Sequence, residues 1–292
     1  MVDKWNGEWY TVSMAEIISK IEDFVISDGL LSRYNGDCTE LHIPEGVKTV
    51  GSMAFFQKFH IRKIVFPDSL TQICDYAFGS LFNLERLSLP KGLEFLGSHA
   101  FSNAIFPSVT IPKGVEKIGN GAFEGNPYLK RLTICEGVKE IGEGAFRNCT
   151  ALTEVVIPKG VKEIGQAAFR RCSSLTNVTF GEGVEKIKWT AFENCPKIKS
   201  LDFPSTLKEI GNDAFIGCEA LSAITFQDGI EKIGNNAFTD SVLLKKVELP
   251  ASVKTVGKNA FPDKQGLVLI YRGNKEIADG WKLGEHIKIV TN

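Results

Sequence analysis

The pair Ala-Phe recurs at Ala54-Phe55, Ala77-Phe78, Ala100-Phe101, Ala122-Phe123, Ala145-Phe146, Ala168-Phe169, Ala191-Phe192, Ala214-Phe215, Ala237-Phe238 and Ala260-Phe261. Every step is 23 residues except the one from Phe101 to Phe123, which is 22. A period in the twenties constrains the backbone strongly. Each unit is one coil that cannot bury its apolar face alone, so successive coils stack into a solenoid with one continuous core.

Within a coil the other apolar residues fall into columns. Around Phe146 they are Leu152, Val155, Ile157, Val161, Ile164, Ala168 and Phe169, and the next coil repeats them as Leu175, Val178, Phe180, Val184, Ile187, Ala191 and Phe192. Alternation through Val155 and Ile157 predicts a short strand, and the stretch from Val161 to Ile164 predicts a second. The segment from Ala-Phe to the next Leu is expected to be a short helical turn. Pro closes the first strand at Pro44, Pro67, Pro90, Pro112, Pro158, Pro204 and Pro250, where a missing N–H would interrupt a ladder. Gly160 and Gly165, with their equivalents, mark the corners.

The expected fold is therefore an α/β repeat of about ten 23-residue coils. Composition alone would suggest one or two ordinary domains, but stacked coils share a core and make one. With 34 basic and 35 acidic residues, no net field steers the chain toward nucleic acid or an anionic membrane. No run of 18 apolar residues is present, so membrane insertion is not expected. Met1–Tyr10 lacks the basic start and apolar centre of a secretory signal.

Before the repeats, Ser13 and Glu16 form a capping box, and Met14, Ile17, Ile18, Ile21 and Phe24 recur at helical spacing, which predicts a helix covering the first coil. The stretch from Phe24 to Gly36 reads as a hairpin, with Asp28-Gly29 and Asn35-Gly36 as turn signals. After Phe261 the register breaks, and a last strand and a helix over Lys275–Trp281 are expected. The expected divisions are 1–36 as arm and capping helix, 37–270 as repeats and 271–292 as C-terminal cap.

The pattern L-x-x-V-x-I-P-x-G-V-x-x-I-G-x-x-A-F-x-x-C-x-x-L, seen from Leu152 to Leu175, resembles the BspA-like leucine-rich repeats of bacteria and some protozoa. The resemblance covers Cys38 to Ile270 and departs from commoner leucine-rich repeats where they carry an asparagine ladder, a position held here by Gly160 and its equivalents. It implies a curved, right-handed leucine-rich-repeat solenoid with a strand-lined face, in a surface-exposed or secreted protein that binds other proteins, matrix or host components, with adhesion among the family's functions. A cytoplasmic location is the alternative. No site residue carries over by motif.

Catalytic and metal chemistry finds no constellation. His42, His60, His99 and His286 are scattered, and no phosphate-cradling glycine motif is present. Neither an enzyme nor a cofactor is expected. Cys149, Cys172, Cys195 and Cys218 share one column, each three residues after the ladder Phe. Their parallel side-chain vectors disfavour disulfides, and free buried thiols acting as small hydrophobes are expected.

Three features point to binding. Lys63, Arg86 and Arg131, with Arg62 and Lys130, make the N-terminal half of the strand-lined face basic, suited to an acidic protein or glycan. Phe59, Phe82 and Ile105 occupy a column that is polar in later coils, with Phe56 and Phe106 nearby. This apolar stripe is either covered by the N-terminal arm and helix or is a protein-binding patch. Trp189 stands in a column otherwise polar, beside Lys188 in place of a corner glycine, and reads as a surface anchor. The leading expectation is a non-enzymatic scaffold for a protein partner. A carbohydrate-binding module using Trp189 and Phe95 is the alternative. Alternating pairs such as Lys139-Glu140 and Lys162-Glu163 are expected to neutralise one another across strands.

Overall fold

The computed structural model describes residues 2–5, 8–11 and 18–291. Val2–Trp5 and Glu8–Thr11 pair as an antiparallel ribbon. Ser13, Met14, Glu16 and Ile17 of the expected capping helix lie outside the described residues. Beyond them the helical spacing is not realised: Ile18 bridges to Glu40, Ile21–Asp23 is a single 3-10 turn, and Phe24 begins a strand.

From Glu40 onward the chain is a solenoid of stacked coils. The first strand of each coil alternates as expected: in Glu154–Ile157, Val155 and Ile157 are buried while Glu154 and Val156 are exposed. It pairs in parallel with Asn177–Phe180, each residue facing its equivalent one coil on. The second strand is only two residues long, as in Glu163–Ile164, but these short strands join into one 12-stranded sheet. That sheet is closed at its N-terminal end by the predicted hairpin, Phe24–Ser27 with Leu30–Tyr34, whose second strand pairs with Thr49–Val50. Asp28 and Gly29 take φ of 50° and 78°, the left-handed pair that a two-residue hairpin turn requires.

The return segment through Ala-Phe is a chain of turns and not a helix. Its N–H groups alternate between two kinds of partner. Gly144, Phe146 and Asn148 donate to Gln166, Ala168 and Arg170 of the next coil at 2.8, 2.8 and 2.9 Å, while Ala145, Arg147 and Cys149 donate three residues back at 3.3, 2.9 and 3.2 Å. An α-helix would spend all of these donors internally. The alternation is set by left-handed residues on either side of the ladder Phe, such as Met53 and Gln57, Tyr76 and Ser80, and Ala167 and Arg171. The one α-helix among the described residues is Lys275–Asp279.

The ten ladder phenylalanines are all buried, none more than 1% exposed. Successive rings stack nearly parallel, from 4.9 Å at Phe55–Phe78 to 5.9 Å at Phe101–Phe123, the short step. The hairpin prolongs the ladder with Tyr34, 5.2 Å from Phe55, and Phe24, 5.0 Å from Tyr34. Phe66, Phe180, Phe203 and Phe226 pack edge-on against it, Phe180 from the last residue of its first strand and the others from the residue just beyond theirs. Burying one Phe is worth about 1.5–3 kcal/mol, so this column anchors every coil to its neighbours.

Each cysteine of the shared column donates its S–H to the ladder carbonyl of the preceding coil: Cys149 to Phe123 at 3.3 Å, Cys172 to Phe146 at 3.3 Å, Cys195 to Phe169 at 3.2 Å and Cys218 to Phe192 at 3.5 Å. Asn126 holds the same position one coil earlier and does more. Its Oδ1 accepts the N–H of Ala104 at 2.7 Å, and its Nδ2 donates to the carbonyls of Phe101 at 3.0 Å and Phe123 at 2.7 Å. The coil it touches is the one shortened by a residue. There Ala104 does not make the three-back bond that Cys149, Cys172 and Cys218 make, and the Asn126 amide supplies an acceptor for its N–H and a donor to the Phe101 carbonyl.

At the C-terminal end, Val268–Tyr271 adds in parallel to Lys246–Leu249 and Lys288–Thr291 adds beyond it. Asn274 caps the helix by accepting the N–H of Glu276 at 2.9 Å. Trp281 lies on Tyr271 with ring centroids 4.7 Å apart.

Candidate functional site

The equal register places the expected binding residues in two separate regions. In the first-strand sheet Lys63 faces Glu40 on one side and bridges to Arg86 on the other, and Arg131 pairs with Ser108. Phe59 and Phe82 precede Lys63 and Arg86 by four residues, so the apolar and basic columns run side by side within about 14 Å.

The basic half of the face is narrower than its residue count. Lys63 Nζ is 2.6 Å from Glu40 Oε1, which also takes His42 Nε2 at 2.8 Å. The hydrogen bond from Lys63, then that from His42, holds the Glu40 carboxyl below its usual range. Arg62 lies 3.8 Å from Glu85. Arg86, Lys130 and Arg131 are exposed, and none has a carboxylate partner among the described residues. The unpaired charge is thus carried by Arg86, Lys130 and Arg131.

The stripe is also redrawn. Phe59 and Phe82 are 44% and 51% exposed with rings stacked at 5.4 Å. Ile105 and Phe56 are half-buried, Phe56 against Tyr76 at 6.1 Å. Phe106 is fully buried, because in the shortened coil it fills the core column that Leu152 fills elsewhere. Tyr128, 59% exposed beside exposed Pro127, continues the outer surface into the next coil and was not anticipated. Its signal in the sequence is an aromatic one residue after the Phe59 column, where later coils carry Ala151 and Ser174.

Trp189 does not join this surface. It is 59% exposed at the end of the second strand, about five coils from Phe82 and so roughly 24 Å along the axis. Phe95, 49% exposed, is in the same sheet but four strands away, about 19 Å, too far to hold one sugar ring jointly with Trp189. On this sheet the opposite charges pair across strands as expected: Lys117 with Glu140 and Lys232 with Glu209 at 2.7 Å, Lys139 with Glu116 at 2.6 Å, and Lys254 with Glu231 at 2.8 Å. Exposed pairs of this kind are worth tenths of a kcal/mol to about 1 kcal/mol.

All seven cysteines are free. Burial pushes the Cys149 and Cys195 thiols up to about 12 and raises Cys172 and Cys218 well above their ordinary range. Among the described residues, no group of three His, Cys, Asp or Glu side chains is arranged to hold a metal ion. No described helix is long and apolar enough to cross a membrane.

The strands, corners and ladder define a parallel β-solenoid of leucine-rich coils whose outward columns form broad surfaces. The chain belongs to the BspA type leucine rich repeat family, whose model matches residues 26–153 and 139–268 in six copies. The solved structure of the pneumococcal vaccine antigen PcpA is 19% identical, covering 88% of this chain and 69% of that one, with a TM-score of 0.53. A leucine rich cell surface protein from Faecalibacterium prausnitzii is 20% identical over 96% of this chain and 97% of its own, with a TM-score of 0.46. The Treponema pallidum leucine-rich repeat protein is 23% identical over 77% and 90%, with a TM-score of 0.48. No curated protein matches the sequence.

Proposed function

We infer that this chain is a non-enzymatic scaffold that binds a protein partner through the N-terminal half of the solenoid, at the cell surface, in an adhesive or host- or matrix-directed role. Residues 37–270 form the binding array, with 1–36 and 271–292 as its caps. The observation that carries the reading is the stacked, half-exposed pair Phe59–Phe82 beside unpaired Arg86 and Arg131. An apolar centre flanked by arginine is the composition of a binding hot spot. Membership of the family and the likeness to a vaccine antigen support the surface setting. The partner would present an apolar side chain within an acidic rim.

The test is a panel of plasma and extracellular-matrix proteins probed with the wild type, a Phe59→Ser/Phe82→Ser variant and an Arg86→Glu/Lys130→Glu/Arg131→Glu variant. The aromatic change should weaken binding by about a thousandfold, two hot-spot side chains' worth. Charge reversal should slow association and flatten its salt dependence. A partner bound equally by all three proteins would remove the assignment.

A further inference from the structure

The corner after the second strand repeats one small device. Asp75 Oδ1 accepts the backbone N–H of Ser98 at 2.6 Å, Asn120 that of Glu143 at 3.0 Å, Asn212 that of Asn235 at 2.8 Å and Asn235 that of Lys258 at 2.8 Å. Trp189 stands in this column with no side-chain oxygen to offer, and the residue before it is Lys188 where every other coil but that of Cys74 has glycine. These two departures act together. With no side-chain oxygen at 189, the Asn212 N–H is left without an acceptor among the described residues. Lys188 Nζ takes Glu163 at 2.7 Å and Lys232 takes Glu209 at 2.7 Å. Those glutamates are the two strand neighbours of Lys186, so its ammonium has no carboxylate partner among the described residues.

Beside the indole lies a half-open hollow of about 400 Å³, lined by Glu163, Gln166, Lys186, Trp189, Glu209 and Gly211. Its size falls within the roughly 300–1,000 Å³ of small-ligand sites. Gly211, the corner glycine of the next coil, packs on the Lys188–Trp189 backbone, where a Cβ would come 2.8 Å from Lys188 C and Trp189 N and 3.0 Å from the indole Cδ1. Its apolar part is the flat indole face, with the almost wholly buried Ile187 also in the lining. The rest is polar, with both carboxylates already neutralised and one ammonium free.

That combination selects a ligand. A hydrophobic side chain would meet only one apolar wall, and a lysine or arginine side chain would meet an unpaired cation and no unpaired lining carboxylate. A pyranose fits better: its C–H face lies on an aromatic ring, while its hydroxyls accept from the free Asn212 N–H and donate to carboxylate and amide oxygens. We propose that the Trp189 hollow binds an acidic sugar residue, a uronate or a sialate, with the ring on the indole and the carboxylate at Lys186. This site is independent of the Phe59–Phe82 surface.

Saturation-transfer NMR and calorimetry with a hyaluronan tetrasaccharide, sialyllactose, lactose and chitotriose test it on the full chain. One or both acidic probes should bind, and lactose and chitotriose should bind more weakly; which acidic probe binds separates uronate from sialate. Trp189→Ala, an exposed change, should weaken binding by about tenfold or more, and Lys186→Gln should erase the preference for acid over lactose. Phe59→Ser/Phe82→Ser should leave it unchanged. No binding of either acidic probe at millimolar concentration, equal binding of lactose, or full affinity in Trp189→Ala would each overturn the proposal.

Discussion

Asn126 offers the most direct test of how the solenoid absorbs a missing residue. Replacing it with alanine strips three hydrogen bonds from a fully buried site. The losses are unequal. The Phe123 carbonyl still receives the Cys149 thiol, whereas the Ala104 N–H and the Phe101 carbonyl have no other partner among the described residues. Two buried backbone groups orphaned at about 1–3 kcal/mol each give a cost of about 2–6 kcal/mol. Asn126→Cys should recover part of it, because a thiol there can reach the Phe101 carbonyl as the other four cysteines reach theirs, leaving a loss of about 1–3 kcal/mol. Asn126→Asp keeps an acceptor for Ala104 but turns a carboxylate toward two carbonyls, so it should be at least as damaging as alanine. Urea denaturation gives the order of the three variants, and amide exchange at Ala104 reports the local opening without assuming that the whole array unfolds as one unit. An Asn126→Ala protein within about 0.5 kcal/mol of wild type, or an aspartate variant more stable than the alanine one, would refute the account.

Phe169→Ala should cost about 3–5 kcal/mol in the same assay, whereas Phe59→Ala, at the exposed column, should cost well under 1 kcal/mol. Gly119→Ala should be the more damaging of two glycine changes, because its Cβ would come 2.4 Å from the Gly97 carbonyl, while Gly160→Ala meets open space and only a φ of 98°; thermal melts of the pair should rank them so. Alkaline pH should unfold the protein through its buried thiols. Below pH 9 Cys149 and Cys195 are protonated in both states, and above it the unfolded chain ionises first, so each thiol removes about 1.4 kcal/mol of stability per pH unit until its folded value near 12 is reached. Urea midpoints near pH 8 and pH 10.5 should therefore fall further in the wild type than in Cys149→Ala/Cys195→Ala, and equal slopes would exclude the thiols as the cause.

Much of the fold was legible because one pattern is written ten times. The ladder, both strands of a coil and the Asp28-Gly29 hairpin follow from spacing and turn chemistry alone. The return segment was misread as helical because its left-handed positions are held by residues such as Met53, Tyr76 and Ala167, whose types do not announce that backbone; hydrogen bonds to the next coil impose it. Phe106 was assigned to the surface by counting forward from Phe101. Counting back from Phe123, across the deleted residue, assigns it to the core. The pairing of Lys63 with Glu40 was hidden because which long side chain reaches which depends on the neighbouring coil, not on the column. For the same reason the release of Lys186 became visible only once Lys188 was seen to occupy Glu163.

The uniform offset between neighbours has a genetic corollary. Excising residues 154–176 would set Asn177 against Arg131 and Val178 against Leu132, partners of the same kind as those lost, and duplicating them would be as harmless. Unequal crossing-over in whole periods can therefore lengthen or shorten the array while its two ends stay closed. Slippage by any other number of codons would need a local repair of the sort Asn126 performs.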